Sequence, residues 1–137
     1  MKTLKIIFNC IIFVTLILLI SCEKEWEEDT TPPQLISTSP CGYNIPIDTE
    51  VVAKYNESID TTVLYHFWLF KSHTDWSKPI ESEIVVGEDK IILIPTDPLE
   101  YNTEYSAIIF VVVNDFANNK CVTLDQWAFT TEPSTQE

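Results

Sequence analysis

From Gln34 onward, apolar residues come in short runs that alternate with polar ones. The longest is EYSAIIFVVVN, residues 104–114, where a period of two puts Tyr105, Ala107, Ile109, Val111 and Val113 on one face. Similar runs rich in Val, Ile, Thr, Phe, Tyr and Trp predict strands over 34–38, 50–56, 63–71, 80–86, 90–95, 104–114 and 122–130. Eight prolines and several Asn/Asp pairs separate the runs, and VGEDK around Gly87 reads as a tight hairpin. No long stretch has helical periodicity. Seven short strands in about a hundred residues predict an all-β, antiparallel sandwich. Val51, Ala53 and Tyr55 are expected to face the row led by Tyr105, together with Phe67, Leu69, Trp127 and Phe129.

The same alternation creates an anomaly. With Phe67 and Leu69 inward, His66, Trp68 and Phe70 point outward, as do Ile108, Phe110 and Val112 on the neighbouring strand. A solvated sheet face is ordinarily polar, and large exposed apolar patches mark interaction sites. Two readings stay open. In one, this face docks a partner protein or a second copy. In the other, the long loop KSHTDWSKP folds back and Trp76 packs on Trp68.

Ahead of the strands lies a different pattern. Lys2 and Lys5 precede an apolar run over residues 6–20, shorter than the ~20 residues a spanning helix needs. A basic start and a short apolar stretch describe an export signal. Ser21 suits ordinary cleavage, but Leu19 does not. Leu19-Ile20-Ser21-Cys22 resembles the bacterial lipobox, which implies a signal peptide over 1–21 and acylation of the Cys22 thiol, with palmitate-type chains. An uncleaved membrane anchor is the alternative, and both readings place the remainder outside the cytoplasm. One acyl chain binds reversibly at ~0.8 kcal/mol per buried CH₂; several hold a protein to a bilayer essentially permanently. Residues 22–33, with EKEWEEDTTPP, read as a flexible acidic tether, since glutamates repel and Pro32-Pro33 forbids helix. The acids resemble surface-export signals of some Gram-negative lipoproteins. The expected location is the outer membrane of a bacterial envelope, surface-exposed, with a periplasm-facing position as the alternative.

Charge narrows the partners. The chain has 21 acids against 8 lysines and no arginine, a formal charge of −13. Cutting before Cys22 removes Lys2 and Lys5 but no acid, making the balance more negative. Nucleic-acid binding rests on basic phosphate contacts, so it is not expected. An anionic membrane surface would also repel the domain, leaving the lipid as its only expected hold on the bilayer.

Several motifs recur in a characteristic order: DTTPPQLISTSPCGYNIPIDTEVVAKYNESID, then IILIPTDPLEYNTEYSAII, VVVNDFANN and WAFTT. Together they resemble bacterial Ig-like domains of the SbsA type across residues 29–131. Tyr55 stands where that family usually has Phe, Asn118 replaces a turn glycine, and KSHTDWSKP lengthens a middle loop. The resemblance implies an Ig-like sandwich over residues 34–131, a polar tail over 132–137, and a spacer or adhesive role without catalysis or cofactor. Such domains often occur in tandem, so the chain is also readable as a piece of a longer adhesin. Independently, Leu99, Asn102 and Thr103 lead into Tyr105 as expected for a tyrosine at a strand corner, with its hydroxyl reaching back to nearby backbone.

Little else carries chemistry. Cys10 lies in the signal, and Cys41 and Cys121 remain. An oxidising compartment favours their pairing, but the strand order puts them at opposite ends of the sandwich, and a disulfide needs Cα atoms within about 7 Å. His66 and His73 belong to no zinc or triad motif, no Gly-x-Ser-x-Gly elbow occurs, and two glycines cannot build a phosphate cradle. No enzyme activity is expected. Glu57, Asp60, Asp115 and Asn118 are expected at one end, where oxygen ligands could hold calcium, though Asp and Asn are also ordinary turn residues. Trp76 and Tyr43 are candidates for stacking on sugar rings. The leading expectation is a membrane-anchored, non-catalytic protein-binding or structural module; a carbohydrate-binding accessory is the alternative.

Overall fold

In the computed structural model, which describes residues 27–72 and 77–134 (backbone alone for 61–65), the alternating runs form eight strands. They are β1 (Leu35–Ser39), β2 (Gly42–Ile45), β3 (Val51–Tyr55), β4 (Thr61–Lys71), β5 (Ser82–Val86), β6 (Lys90–Pro95), β7 (Glu104–Asn114) and β8 (Lys120–Thr131). One sheet has the order β1-β3-β6-β5 and the other β2-β8-β7-β4. No helix among the described residues is long and apolar enough to cross a membrane. The apolar run over 6–20, Cys22, most of the tether, His73 and Trp76 lie outside the described residues.

The core sits between the sheets. Val51, Ala53 and Tyr55 face Phe67, Leu69, Phe129 and the inward row of β7, all essentially buried. Trp127 is half-buried against this cluster. Ile91 and Leu93 of β6 complete the opposite wall, with Ile59 and Leu99 closing its ends. Gly87 N–H donates to the Lys90 carbonyl at 2.8 Å and closes the β5–β6 hairpin.

The sandwich differs from the expected seven antiparallel strands in one element. After β1 the chain changes sheets, and β2 pairs parallel to β8, with Gly42 opposite Phe129 and Ile45 opposite Thr131. Alternation could not flag Gly-Tyr-Asn-Ile: Gly42 and Asn44 have φ of 89° and 59°, a left-handed backbone that breaks the period-two pattern. Residues 29–33, read as tether, also rest on the domain. Pro33 is buried, and Asn119 Nδ2 donates to the Asp29 carbonyl at 2.9 Å.

The sheet edges carry protective features. At β4, the Ile80 N–H donates to the Leu69 carbonyl at 2.7 Å, and the β4–β7 register shifts between Leu64 and His66. On β8, Asp125 lies half-buried in the inward phase, ahead of the stretch that β2 covers. A returning chain, a bulge and an inward charge each discourage the addition of another strand.

Candidate functional site

Register fixes the outer face of the β4–β7–β8 layer. His66 is opposite Phe110, which is opposite Leu124; Trp68 is opposite Ile108, which is opposite Gln126; Val112 is opposite Val122. Trp68 is 39% exposed, Val122 65% and Leu124 74%, while Ile108, Phe110 and Val112 are half-buried between their neighbours. The His66 ring is 4.0 Å from Trp68 and 6.4 Å from Phe110, centroid to centroid. The side chains of this face from Trp68 to Leu124 include neither a carboxylate nor an ammonium group.

Two of these residues, Val122 and Leu124, are absent from the sequence-based set. Their signal was present: Trp127 and Phe129 face inward, so counting back in twos sends Leu124 and Val122 outward. Phe70 requires a correction. It shares the outward phase of His66 and Trp68 but is only 4% exposed, so it is no part of an accessible surface. Trp68 sets its ring edge-on to Phe70 at 5.9 Å, and the chain returns beside this end of β4 at Ile80. The reading in which Trp76 packs on Trp68 falls outside the described residues.

The acidic end also differs from the expected set. Three carboxylates approach within 4.8 Å of one another: Asp29, Glu57 and Asp115. Asp60 is outside this group, and Asp29 joins it because Asn119 draws in the end of the tether. Asn118 is a left-handed turn residue, φ 67°, whose N–H donates to the Asp115 carbonyl at 3.2 Å. Both Asp115 oxygens are already engaged: Oδ1 accepts from the Asn119 backbone at 2.8 Å and Oδ2 from its amide at 2.7 Å. This accounts for Asp115 as the organiser of the β7–β8 turn.

The pKa values of Asp115 and Glu57 are shifted in opposite directions. Burial works against the charge on Asp115, but hydrogen bonds from the Asn119 side chain and from the backbone of Asn119, Ala117 and Asn118 outweigh it and hold its carboxyl below the usual aspartate range. Glu57 is pushed above the usual glutamate range by burial and by the charges of Asp29 and Asp115. Asp115 therefore contributes stability that is present above its unfolded pKa near ~4 and lost as pH falls through the lower folded value. The contribution linked to Glu57 has the opposite sign, being complete in acid and lost as pH rises through its folded pKa. At pH 7, Asp115→Asn is expected to lower the melting temperature and Glu57→Gln to raise it or leave it unchanged. Thermal melts at pH 7 and pH 3.5 check this, and a lower melting temperature for Glu57→Gln at pH 7 would contradict it.

Cys41 and Cys121 are free thiols. Gly42 pairs at Phe129, eight residues along β8 from Cys121, which corresponds to about 25 Å at the strand rise. The Cys41 thiol is 3.4 Å from the Thr38 carbonyl, and that of Cys121 is 4.0 Å from the Thr123 hydroxyl. Tyr43 is 79% exposed at the sandwich edge. A concavity of about 210 Å³ between residues 47–49 and 94–98 contains Asp48 and Asp97 but no histidine, cysteine, serine or lysine. It falls below the ~300 Å³ of typical small-molecule sites.

Comparison with known proteins bears on this arrangement. The model of the bacterial Ig-like domain family matches residues 29–131. A search of curated proteins finds no match. Among solved structures, CopC from Methylosinus trichosporium OB3b superposes with a TM-score of 0.53 at 11% identity, covering 77% of this chain and 98% of that one. The S-layer protein rSbsC(31-844) superposes with a TM-score of 0.51 at 15% identity over 74% of this chain. The N-terminal part of SbsC gives the same values. This chain spans only 14% and 24% of those two S-layer structures. At such identities the superpositions establish a shared fold.

Proposed function

The chain belongs to the bacterial Ig-like domain family, and from that premise we propose that it is a non-catalytic protein-docking module of the bacterial envelope, held by lipid on Cys22 and acting through the outer face of β4, β7 and β8. The observation that carries this reading is the face itself: Val122 and Leu124 stand 65% and 74% exposed beside Phe110 and Trp68, in a chain whose formal charge is −13. Isolated exposed apolar residues are ordinary, but a contiguous three-strand patch marks an interaction surface. The anchor is supported by Leu19-Ile20-Ser21-Cys22, and exposure at the cell surface by the acids that follow.

Cys22→Ser is expected to abolish incorporation of a labelled fatty acid and to leave residues 1–21 uncut, since Leu19 does not suit ordinary cleavage. An unaltered chain that takes up no label and keeps residues 1–21 would instead indicate an uncleaved span. A photo-crosslinking residue at Leu124, on intact cells, is expected to trap a discrete protein adduct, and the same residue at Glu83 on the other sheet is not. Equal adducts at both positions would remove the docking face.

A further inference from the structure

We infer that the outer face of β4–β7–β8 is self-complementary and docks a second copy of this chain, resting on the docking reading above. The first reason is charge. A heterologous partner drawn to so acidic a molecule would be basic and would seat on carboxylates, whereas this face offers none between Trp68 and Leu124. An interface with an identical copy has the opposite need, since each group must meet its symmetry mate without like charges facing. A charge-free face meets that need at contact, while the −13 charge of each copy repels at longer range and is screened by salt.

The second reason is register. The β8 side bears the exposed aliphatic residues Val122 and Leu124, and the β4 side bears the His66 and Trp68 rings, tilted at 35° to one another, with Phe110 between. Sheets stacked face to face keep their strands within about 30° of one another. A two-fold axis along β7 gives that arrangement and exchanges the two flanks at constant level. Leu124 of one copy then meets His66 of the other, Gln126 meets Trp68, and Phe110 meets its own mate. The aliphatic row of each copy thereby lies against the aromatic side of its partner.

Edge pairing is the competing route to a dimer. Along β4 it is obstructed by the Ile80–Leu69 hydrogen bond and by the register shift before His66. The patch is also small, about 15 Å across three strands and about 20 Å along them at standard spacings. That footprint is well under the ~800 Å² per partner of stable complexes. The dimer is therefore weak in free solution and forms where copies are concentrated, as by a shared membrane that raises their effective concentration.

Thiol cross-linking tests this on the full-length chain in the membrane of a bacterial host, in a Cys41→Ser background. Under mild oxidation, Phe110→Cys is expected to yield at least tenfold more disulfide dimer than Glu83→Cys. Differently tagged His66→Cys and Leu124→Cys copies are expected to form a mixed adduct. Within one copy these two positions flank β7, about 10 Å apart, too far to bridge. Leu124 is so exposed that its substitution leaves the core intact. Adding His66→Glu with Leu124→Glu, which sets carboxylates opposite one another, is expected to reduce the Phe110→Cys adduct at least tenfold. Dimers at Glu83→Cys equal to those at Phe110→Cys would indicate random collision and overturn the inference. So would a Phe110→Cys thiol that a maleimide labels but no second copy captures. If the photo-crosslinker at Leu124 traps a different protein and no second copy, self-docking falls while the docking face stands.

Discussion

Tyr105→Ala is expected to destabilise the domain by about 3–5 kcal/mol, the range for deleting a large buried aromatic, and Tyr105→Phe by about 1–3 kcal/mol, the range for leaving a buried polar group unpaired. The ring is 1% exposed and stacks on Phe129 at 5.9 Å. Its hydroxyl accepts from the Glu100 N–H at 2.9 Å and so ties the 96–103 loop to the start of β7. Thr131 finishes the corner: its hydroxyl donates to the Glu100 carbonyl at 2.6 Å and accepts from the Thr103 N–H at 3.0 Å. Burial raises the Tyr105 phenol above its ordinary value, against the lowering effect of the Glu100 backbone hydrogen bond. The stability linked to this phenol is complete below its unfolded pKa near ~10 and is lost as pH rises through the folded value. Urea denaturation of the three proteins separates ring from hydroxyl. Full stability in Tyr105→Phe would show that the corner hydrogen bond contributes nothing.

Phe67→Ala and Trp68→Ala, adjacent on β4, are expected to differ by several kcal/mol despite the larger ring of Trp68. Phe67 is 2% exposed and lies 6.0 Å from Trp127, so its removal leaves a core cavity and costs about 3–5 kcal/mol. Trp68 faces out, and its loss is expected to cost less than about 1 kcal/mol, arising from the His66 and Phe70 ring contacts. The midpoint of urea unfolding, at unchanged slope, gives both numbers. Equal losses would make Trp68 a core residue and remove the physical basis for reading its face as accessible.

Much of this fold was legible from alternation alone. The β3, β4 and β7 residues expected inward are buried, because a two-residue period combined with one buried face leaves a strand only one workable phase. The left-handed Asn118 and the Gly87 hairpin were legible for a related reason: few residue types tolerate such turns. β2 was not legible. It is an edge segment paired over its ends with β8, and its left-handed Gly42 and Asn44 erase the periodic signal. Ile91 and Leu93 lay in a continuous apolar run, IILI, which shows a strand without saying which side is inward.

The candidate site divides along the same line. Outward placement of Trp68, Ile108, Phe110 and Val112 follows from each strand's own parity, a local property of the backbone. Which residues form one surface depends on how strands pair, so Leu124 joins Phe110 and His66 only once the β7–β8 and β4–β7 registers exist. Phe70 shows the limit of parity. It has the right phase, yet tertiary packing decides whether a neighbour covers it. The acidic end shows the same: Asp29 is remote from Glu57 and Asp115 in sequence, and the Gln34–Asn56 hydrogen bonds, the buried Pro33 and the Asn119 amide hold its segment beside them. By itself the sequence determined seven of the eight strands, the phase of β3, β4 and β7, the acidic charge and the Cys22 motif, because each depends on residue type and local spacing. Only the tertiary structure decided which outward residues share a face, which are covered and which carboxylates meet, because those depend on contacts between segments distant along the chain.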